Sequence, residues 1–580
     1  MADDPRDLPE LPEETPDIPE ASDVLDAEGG VVARRRPSLG GATAIMSSGT
    51  LVSRILGFVR SALLVAAVAV NAFGANAFDV ANRIPNALYA VLAAGVVNSV
   101  LVPQIVRAFS RPDGKRTVDR IVSLGLAISL GITVIATAAA PFVVRMYSSA
   151  TWSQEQRNLA TAFAFLVIPQ LFFYAAYTIL GQVLNAREQF GPYMWAPVLN
   201  NVIAISGLVI YLVMFGGYTA SADVPSAWTA ERIAWLAVPA TIAMASQALI
   251  LLWPLLRGGY RPRLVWRGPK GELASVRVVA GWALAAVLVE QAGVIIAVRV
   301  ASAADPTGAN SGIAGNAAYF YALLIYLLPH SVVTVSLLTA LGTKIAKHYT
   351  GGDAPAVRAD VAQGLRVTAA FTFFATSALI VLAPWLARIV MPTASIEEVR
   401  SVGWVVVALA VGLMPLGAMV LVKRVYFVLE DARGIFLIHI PMTITLVSVA
   451  YLGMKTLDAK WWTVGVALGL SLSNVVGLAL RGGGLRRRIG DLGGRGVARV
   501  HMVSLLAAVV AALAGFAMRW WVMPELDSAS SNPYLVGGFV CATIGIVMAL
   551  VYGLLLKLAR VEEVDSLLNS VVRRVRRKVR

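Results

Sequence analysis

Gly281-Trp-Ala-Leu-Ala-Ala-Val-Leu-Val-Glu-Gln-Ala-Gly-Val-Ile-Ile-Ala-Val298 is interrupted by only two polar residues, Glu290 and Gln291. As a helix rising 1.5 Å per residue it covers roughly 27 Å, close to the ~30 Å hydrocarbon thickness of a bilayer. A water-facing helix would carry a polar face, and this one is apolar almost all round. The same texture recurs along all 580 residues, of which 58% are hydrophobic and 14% charged. A mean hydropathy of +0.72 is incompatible with a water-exposed surface and points to an all-α polytopic membrane protein, since a lone helix satisfies its own backbone in lipid.

Windows of spanning length predict about fourteen transmembrane helices: 44–68, 78–106, 121–144, 159–184, 193–216, 233–256, 278–301, 315–342, 367–390, 401–428, 434–453, 461–480, 500–523 and 534–557. Arg34, Arg35 and Arg36 precede the first span and set its start in the cytoplasm. Every second loop is then basic. Arg107, Arg111, Lys115, Arg116 and Arg120 follow span two, Arg257 to Arg277 follow span six, and Arg481, Arg486, Arg487, Arg488, Arg495 and Arg499 follow span twelve. About 37 of the 49 Lys and Arg fall on the cytoplasmic side and about 8 on the other. The net charge of +15 is therefore topological and requires no nucleic acid. Both termini of this multi-pass membrane protein are expected in the cytoplasm.

Residues 1–43 form an acidic, proline-rich tail, with about eleven acids in the first thirty positions and no apolar periodicity. Residues 558–580 alternate valines and leucines with Arg573, Arg574, Arg576, Arg577, Lys578 and Arg580 at helical spacing, a basic amphipathic helix suited to anionic membrane lipids. A single cysteine, Cys541, excludes a disulfide framework. Short connecting loops leave no room for a soluble catalytic domain. A faint repeat is visible. The ends of spans two and eight, around Arg107 and Lys347, and of spans four and ten, around Glu188 and Glu430, are each about 240 residues apart. This divides the chain into an N-lobe (44–256), a C-lobe (278–480) and two further helices (500–557), an organisation typical of alternating-access carriers.

No nucleophile-elbow, phosphate-loop or metal-ligand spacing occurs, so the candidates are ionisable groups inside spans. In Ser53-Arg-Ile-Leu-Gly-Phe-Val-Arg60, Arg54 and Arg60 differ by roughly 120° and 9 Å on a helix, and could converge on an extended polyanion. Gly57 between them suits a bend or a close helix contact. Asp79 and Arg83, four apart, are expected to neutralise each other, and Arg299 is placed to snorkel outward. Glu290, at mid-span, is either a proton or cation site or a packing residue. Pro85, Pro103, Pro169, Pro197, Pro329, Pro415 and Pro441 predict kinks.

Ser53 to Arg60, Phe73-Gly-Ala75, Val80-Ala-Asn-Arg-Ile-Pro-Asn86, Val102-Pro103 and Leu184-Asn-Ala-Arg-Glu-Gln-Phe190 together resemble the MurJ (MviN) family of lipid-linked peptidoglycan precursor flippases, within the superfamily that holds the MATE exporters. The resemblance covers about residues 44–557. It implies two six-helix lobes in a V, a central cationic cavity for the diphosphate–sugar headgroup and a groove beside the last two helices for the polyprenyl tail. Family arginines match Arg54 and Arg60; Asn76, Arg83, Asn86 and Arg299 complete the candidate substrate contacts. The chain departs from the family pattern at Asn76 (Asp in many members), at Tyr89 and Ala90 (Arg-Arg), at Ala94 (Glu), and in lacking an arginine between Tyr319 and Pro329.

The expected function is to move an undecaprenyl-diphosphate-linked disaccharide peptide from the inner to the outer leaflet. No cofactor is expected; a proton or cation gradient, with Glu290 as coupling site, or the membrane potential would drive transport. Cell-wall synthesis proteins are conceivable partners. The competing readings are an exporter of another lipid-linked glycan, a non-transporting scaffold, and a glycosyltransferase. The last would need acidic residues gathered in one outer loop, whereas Asp223, Asp305, Glu397, Glu398, Glu525 and Asp527 are spread over several.

Overall fold

The computed structural model describes residues 39–93, 114–187, 189–266, 277–304, 312–429, 431–522 and 532–561. Among them the secondary structure is helical throughout. In the first half the helices are α1 (Leu39–Val68), α2 (Phe73–Leu92), α3 (Gly114–Ala138), α4 (Ala140–Tyr147), α5 (Gln154–Val167), α6 (Gln170–Ala186), α7 (Phe190–Phe215), α8 (Ala230–Leu249) and α9 (Leu252–Arg257). The second half holds α10 (Arg277–Ala304), α11 (Asn316–Pro329), a π-helical turn (His330–Thr334), α12 (Val335–Thr350), α13 (Ala354–Val390), α14 (Ile396–Ala410), α15 (Leu413–Val428), α16 (Ala432–Thr456) and α17 (Trp462–Ile489). The chain closes with α18 (Gly494–Val522) and α19 (Pro533–Leu558).

Eleven of the described helices are long and apolar enough to cross a membrane, and the α14–α15 pair, bent by 46°, makes twelve. Two expected spans stand outside that count. Span 78–106 is α2 plus residues beyond the described ones, and span 315–342 is divided by the π turn. Several boundaries differ from expectation. α1 starts at Leu39, inside the segment read as tail, α2 starts at Phe73 instead of 78, and α17 runs to Ile489 instead of 480. Hydropathy windows mark only the lipid-crossing part of a helix, whereas hydrogen bonding carries it further. At α2 the extension has a visible cause: the Phe73 and Gly74 amides donate to the Asp223 carboxylate at 2.6 and 2.9 Å, satisfying the positive end of the helix. Burial pushes the Asp223 carboxyl above its usual range, and these hydrogen bonds partly offset the shift. Of the expected kinks, Pro169 and Pro329 coincide with breaks and Pro415 follows the 46° bend, but Pro85, Pro197 and Pro441 lie inside unbroken helices. The tail to residue 38, Pro103, Arg107, Arg111, Glu188, Glu430 and residues 562–580 lie outside the described residues.

In the N-lobe α1 packs along α7, α7 along α8, α2 along α5 and α3 along α6; in the C-lobe α16 packs between α10 and α17, and α13 against α14 and α15. α18 and α19 pair with each other and lean on α13, burying Val381, Trp385, Ala511, Ile544 and Met548. The described parts of the loops expected outside gather at one end, where Tyr218 bonds the Ala66 carbonyl, Trp152 the Ser302 carbonyl and Asn71 meets Glu398. The described parts of the basic loops gather at the other, where buried acids hold them. Asp119 accepts from Lys115 and Tyr260 at 2.9 and 2.7 Å, and Asp360, again about 240 positions on, accepts from Lys344 and His348 at 2.5 and 2.8 Å.

Candidate functional site

The lobes meet at the end opposite the basic loops, where α2 packs against α10 and α11. Val65 and Val70 enter the C-lobe core, while Val298 and Ala317 enter that of the N-lobe. A chain of polar contacts runs through this seam. The Asn71 amide donates to Glu398 Oε1 (3.2 Å), and Asn71 Oδ1 accepts from the Gly315 amide (3.2 Å). Asn76 Oδ1 accepts from the Ala317 amide (3.4 Å). Asp79 Oδ2 accepts from both Arg83 Nε (2.6 Å) and Asn316 Nδ2 (2.7 Å), and Arg83 Nη2 donates to the Asn316 carbonyl (2.9 Å). Arg83 also lies 5.8 and 5.6 Å from the ring centroids of Tyr319 and Phe320. Gly315 is required by proximity, since a Cβ there would stand 2.9 Å from Asn76 Oδ1. Asn76 and Asn316 are 240 positions apart, so corresponding positions of the two halves face each other across the seam.

Glu398 is held for this contact by its own helix. It forms a capping box with Ser395 at the start of α14, leaving Oε1 to reach Asn71. Two of the scattered outer acids, Asp223 and Glu398, thus serve helix ends and lobe contacts instead of gathering into a catalytic group.

Deeper between the lobes, Arg54 of α1 crosses to the π turn. One guanidinium nitrogen bonds the Ser331 hydroxyl and the other donates to the Ser331 carbonyl at 3.2 Å. Among the described residues no acid pairs with it. A π turn displaces its carbonyls from regular helical pairing, which makes one available to an outside donor. Arg60, higher on α1, stands within electrostatic reach of Tyr174 in the N-lobe and Tyr321 in the C-lobe. Asn86 is exposed, with its amide donating to the Asn82 carbonyl at 3.2 Å. A Cβ on Gly57 would meet nothing within 4 Å, so the close helix contact considered for it is not made here.

The structure therefore brings Arg54 and Arg60 to the space between the lobes and places Asn76 and Arg83 in the seam. Arg299 is set apart. It is exposed on the stripe of α10 that includes Leu288, Ala292 and Ile296, an apolar and hence lipid-facing side. Glu290 is rotated by roughly 120–180° from the residues of that stripe and is exposed, not enclosed in apolar surroundings as its neighbours in sequence suggest. Lys423 and Arg481 are within electrostatic reach of it. Arg481, read from the sequence as a loop charge, is instead fully buried. α17 continues past the expected boundary, turning that position inward.

Sequence reasoning missed Ser331, Asn316, Lys423 and Arg481. One signal could have found Asn316: the offset of about 240, applied to Asn76, lands on it. Nothing local distinguishes Ser331 or Arg481.

Two lobes, each assembled from corresponding helices and joined by a polar seam at one end, define a two-lobed membrane transporter fold. The model of the family described as Lipid II flippase MurJ matches residues 66–542, and the chain belongs to that family. A curated relative, the probable lipid II flippase MurJ of Rhizobium meliloti (strain 1021), is 24% identical over 541 residues, 88% of this chain and 93% of its own. Among solved structures, a lipid II flippase MurJ in an inward closed conformation aligns with a TM-score of 0.64 at 16% identity, covering 87% of this chain and 98% of that one. An inward-facing multidrug resistance MATE transporter of the MOP superfamily aligns at 0.58 and 16% identity, over 78% and 99%. At these identities the structural likenesses establish the fold.

Proposed function

We propose that this chain moves lipid II, the undecaprenyl-diphosphate-linked disaccharide peptide, from the cytoplasmic to the outer leaflet of a bacterial cytoplasmic membrane by alternating access. The carrying observation is Arg54: a guanidinium between the lobes, without an acidic partner among the described residues, resting on a serine hydroxyl and carbonyl. Neutral acceptors are weaker partners for a guanidinium than phosphate oxygens, which match its fork bidentately. A diphosphate entering the inter-lobe space would therefore displace Ser331, releasing one of the contacts that ties α1 to the C-lobe. Arg60, about 9 Å further along the helix, is the second contact on the path outward.

The charge bias supports reading the seam as outer-facing and both termini as cytoplasmic, and in that orientation this conformation would receive substrate from the inside. An inside-negative potential favours outward movement of an anionic headgroup by about 2.3 kcal/mol per charge per 100 mV, a sufficient driving force in kind. The test is depletion of the native protein with rescue by variants, reading lipid II exposed on the outer leaflet. Arg54→Ala should abolish rescue at normal membrane abundance, Arg54→Lys should retain part of it, and Ser331→Ala should preserve it. Full flipping by Arg54→Ala would overturn the proposal.

A further inference from the structure

At the seam end of the C-lobe, α14 and α18 both pack on α13, and among the described residues they scarcely touch each other. A cavity of about 320 Å³ lies between them, far above the ~10–15 Å³ that a single water needs. Ile380 and Pro384 of α13 and Phe516 of α18 give it an apolar wall, Arg400 and Trp404 of α14 and Arg519 of α18 give it two guanidinium groups and an indole, and no carboxylate lines it. Arg400 follows the first turn of α14, and Arg519 belongs to the last turn of α18. The next two residues, Trp520 and Trp521, are 89% and 87% exposed, and Trp404 meets Trp461 edge-on with ring centroids 5.9 Å apart. Such a tryptophan band marks the level at which hydrocarbon gives way to headgroups. Trp404 and Phe516 are themselves exposed, so the cavity opens toward lipid. Arg519 is half-buried and forms no hydrogen bond or ion pair with the described residues. Arg400 has a further interaction, beside which its five donors leave room for another.

We propose that the cleft between α14 and α18 binds an anionic phospholipid of the leaflet at the seam end, its phosphodiester held between Arg400 and Arg519 and an acyl chain lying along Trp404 and Phe516. Guanidinium forks match phosphate oxygens, and a cation at the edge of hydrocarbon is costly unless an anion balances it. A free phosphate would satisfy the arginines and leave the apolar wall uncovered. A zwitterionic lipid would cover the wall but bring a cation of its own beside two others. An anionic phospholipid answers both, and it bridges two helices that otherwise meet through α13. None of the lining residues belongs to α19 or α1, so the site is separate from a groove shared by the last two helices and from Arg54 and Arg60, and it stands apart from the transport reading.

The test is photo-crosslinking of the purified full-length protein in phosphatidylcholine nanodiscs, using phosphatidylglycerol with a diazirine on its acyl chain and peptide mapping of the label. Label should fall on residues 403–407 and 513–519 despite the excess phosphatidylcholine, and unlabelled phosphatidylglycerol should displace it whereas inorganic phosphate should not. Arg519→Gln should weaken the apparent affinity about tenfold, the loss of one charged hydrogen bond. Arg400→Gln combined with Arg519→Gln should remove the preference over a phosphatidylcholine probe of the same chain. Gly403→Leu should lower the labelling with both arginines in place, because Gly403 lines the cavity and a Cβ there meets Pro384 at ordinary contact distance, leaving the rest of the side chain to fill the space; should that variant not fold, the arginine variants decide. Lys455→Gln, which removes an exposed cation at the same end but outside the cavity, should change nothing. Absence of label from these segments, equal labelling by the phosphatidylcholine probe, displacement by inorganic phosphate, unchanged affinity in the double arginine variant, or an equal loss in Lys455→Gln would each overturn the proposal.

Discussion

Replacing Asn316 by alanine should open the seam without unfolding either lobe. Asn316 is 0% exposed, and its Nδ2 donates to Asp79 Oδ2 at 2.7 Å across the interface. A hydrogen bond to a charged group is worth about 1.5–3 kcal/mol. The contact exists only while the lobes meet, so its whole value bears on the equilibrium between seam-closed and seam-open states, a shift of roughly ten- to 150-fold. The backbone carbonyl that accepts from Arg83 survives the substitution, so the Asp79–Arg83 pair remains and the effect should stay within that range. Spin labels at Ser221→Cys and Thr393→Cys, both exposed at the seam end of opposite lobes, would report the opening, with Cys541, the sole native thiol, replaced by serine. Pulsed electron–electron distance measurements should show a new, longer population in Asn316→Ala. An unchanged distance distribution in a variant of normal stability would refute the view that this network holds the seam shut.

Gly315→Ala should favour the same open population, because its Cβ would press to within 2.9 Å of Asn76 Oδ1; the same label pair checks it. Asp79→Asn removes the charge that anchors both Arg83 and Asn316, and should open the seam more than Asn316→Ala in that measurement. For sidedness, Thr151→Cys should react with a membrane-impermeant thiol reagent from outside intact cells and Arg261→Cys only after permeabilisation; both positions are exposed, and the reverse pattern would invert the topology. Asp223→Ala leaves the first amides of α2 without their acceptor, and should destabilise the N-lobe by about 1 kcal/mol, measured as a lowered melting temperature with the seam distance unchanged.

What the sequence by itself determined is whatever depends on adding up neighbours. Transfer into hydrocarbon is a property of a window of residues, so the polytopic helical class and most spans could be read directly. The alternation of basic loops is likewise a local count, and the structure gathers the described parts of the two sets of loops at opposite ends. Local spacing also paired Asp79 with Arg83, and the structure forms that pair.

Only the tertiary structure decided contacts between residues far apart in the chain. Arg54 meets Ser331 across 277 positions and Asn76 meets Asn316 across 240; no window contains both members. Glu290 shows the difference most clearly. Its own helix is apolar, which in sequence reads as enclosure, but rotation of that helix turns the carboxylate away from lipid and toward Lys423 and Arg481 on other helices. Arg481 is the converse case, a charge that sequence position assigns to a loop and packing places in a core. The electrostatic environment of an ionisable group falls off with distance in space, not along the chain, so its role follows from which helices the fold brings beside it.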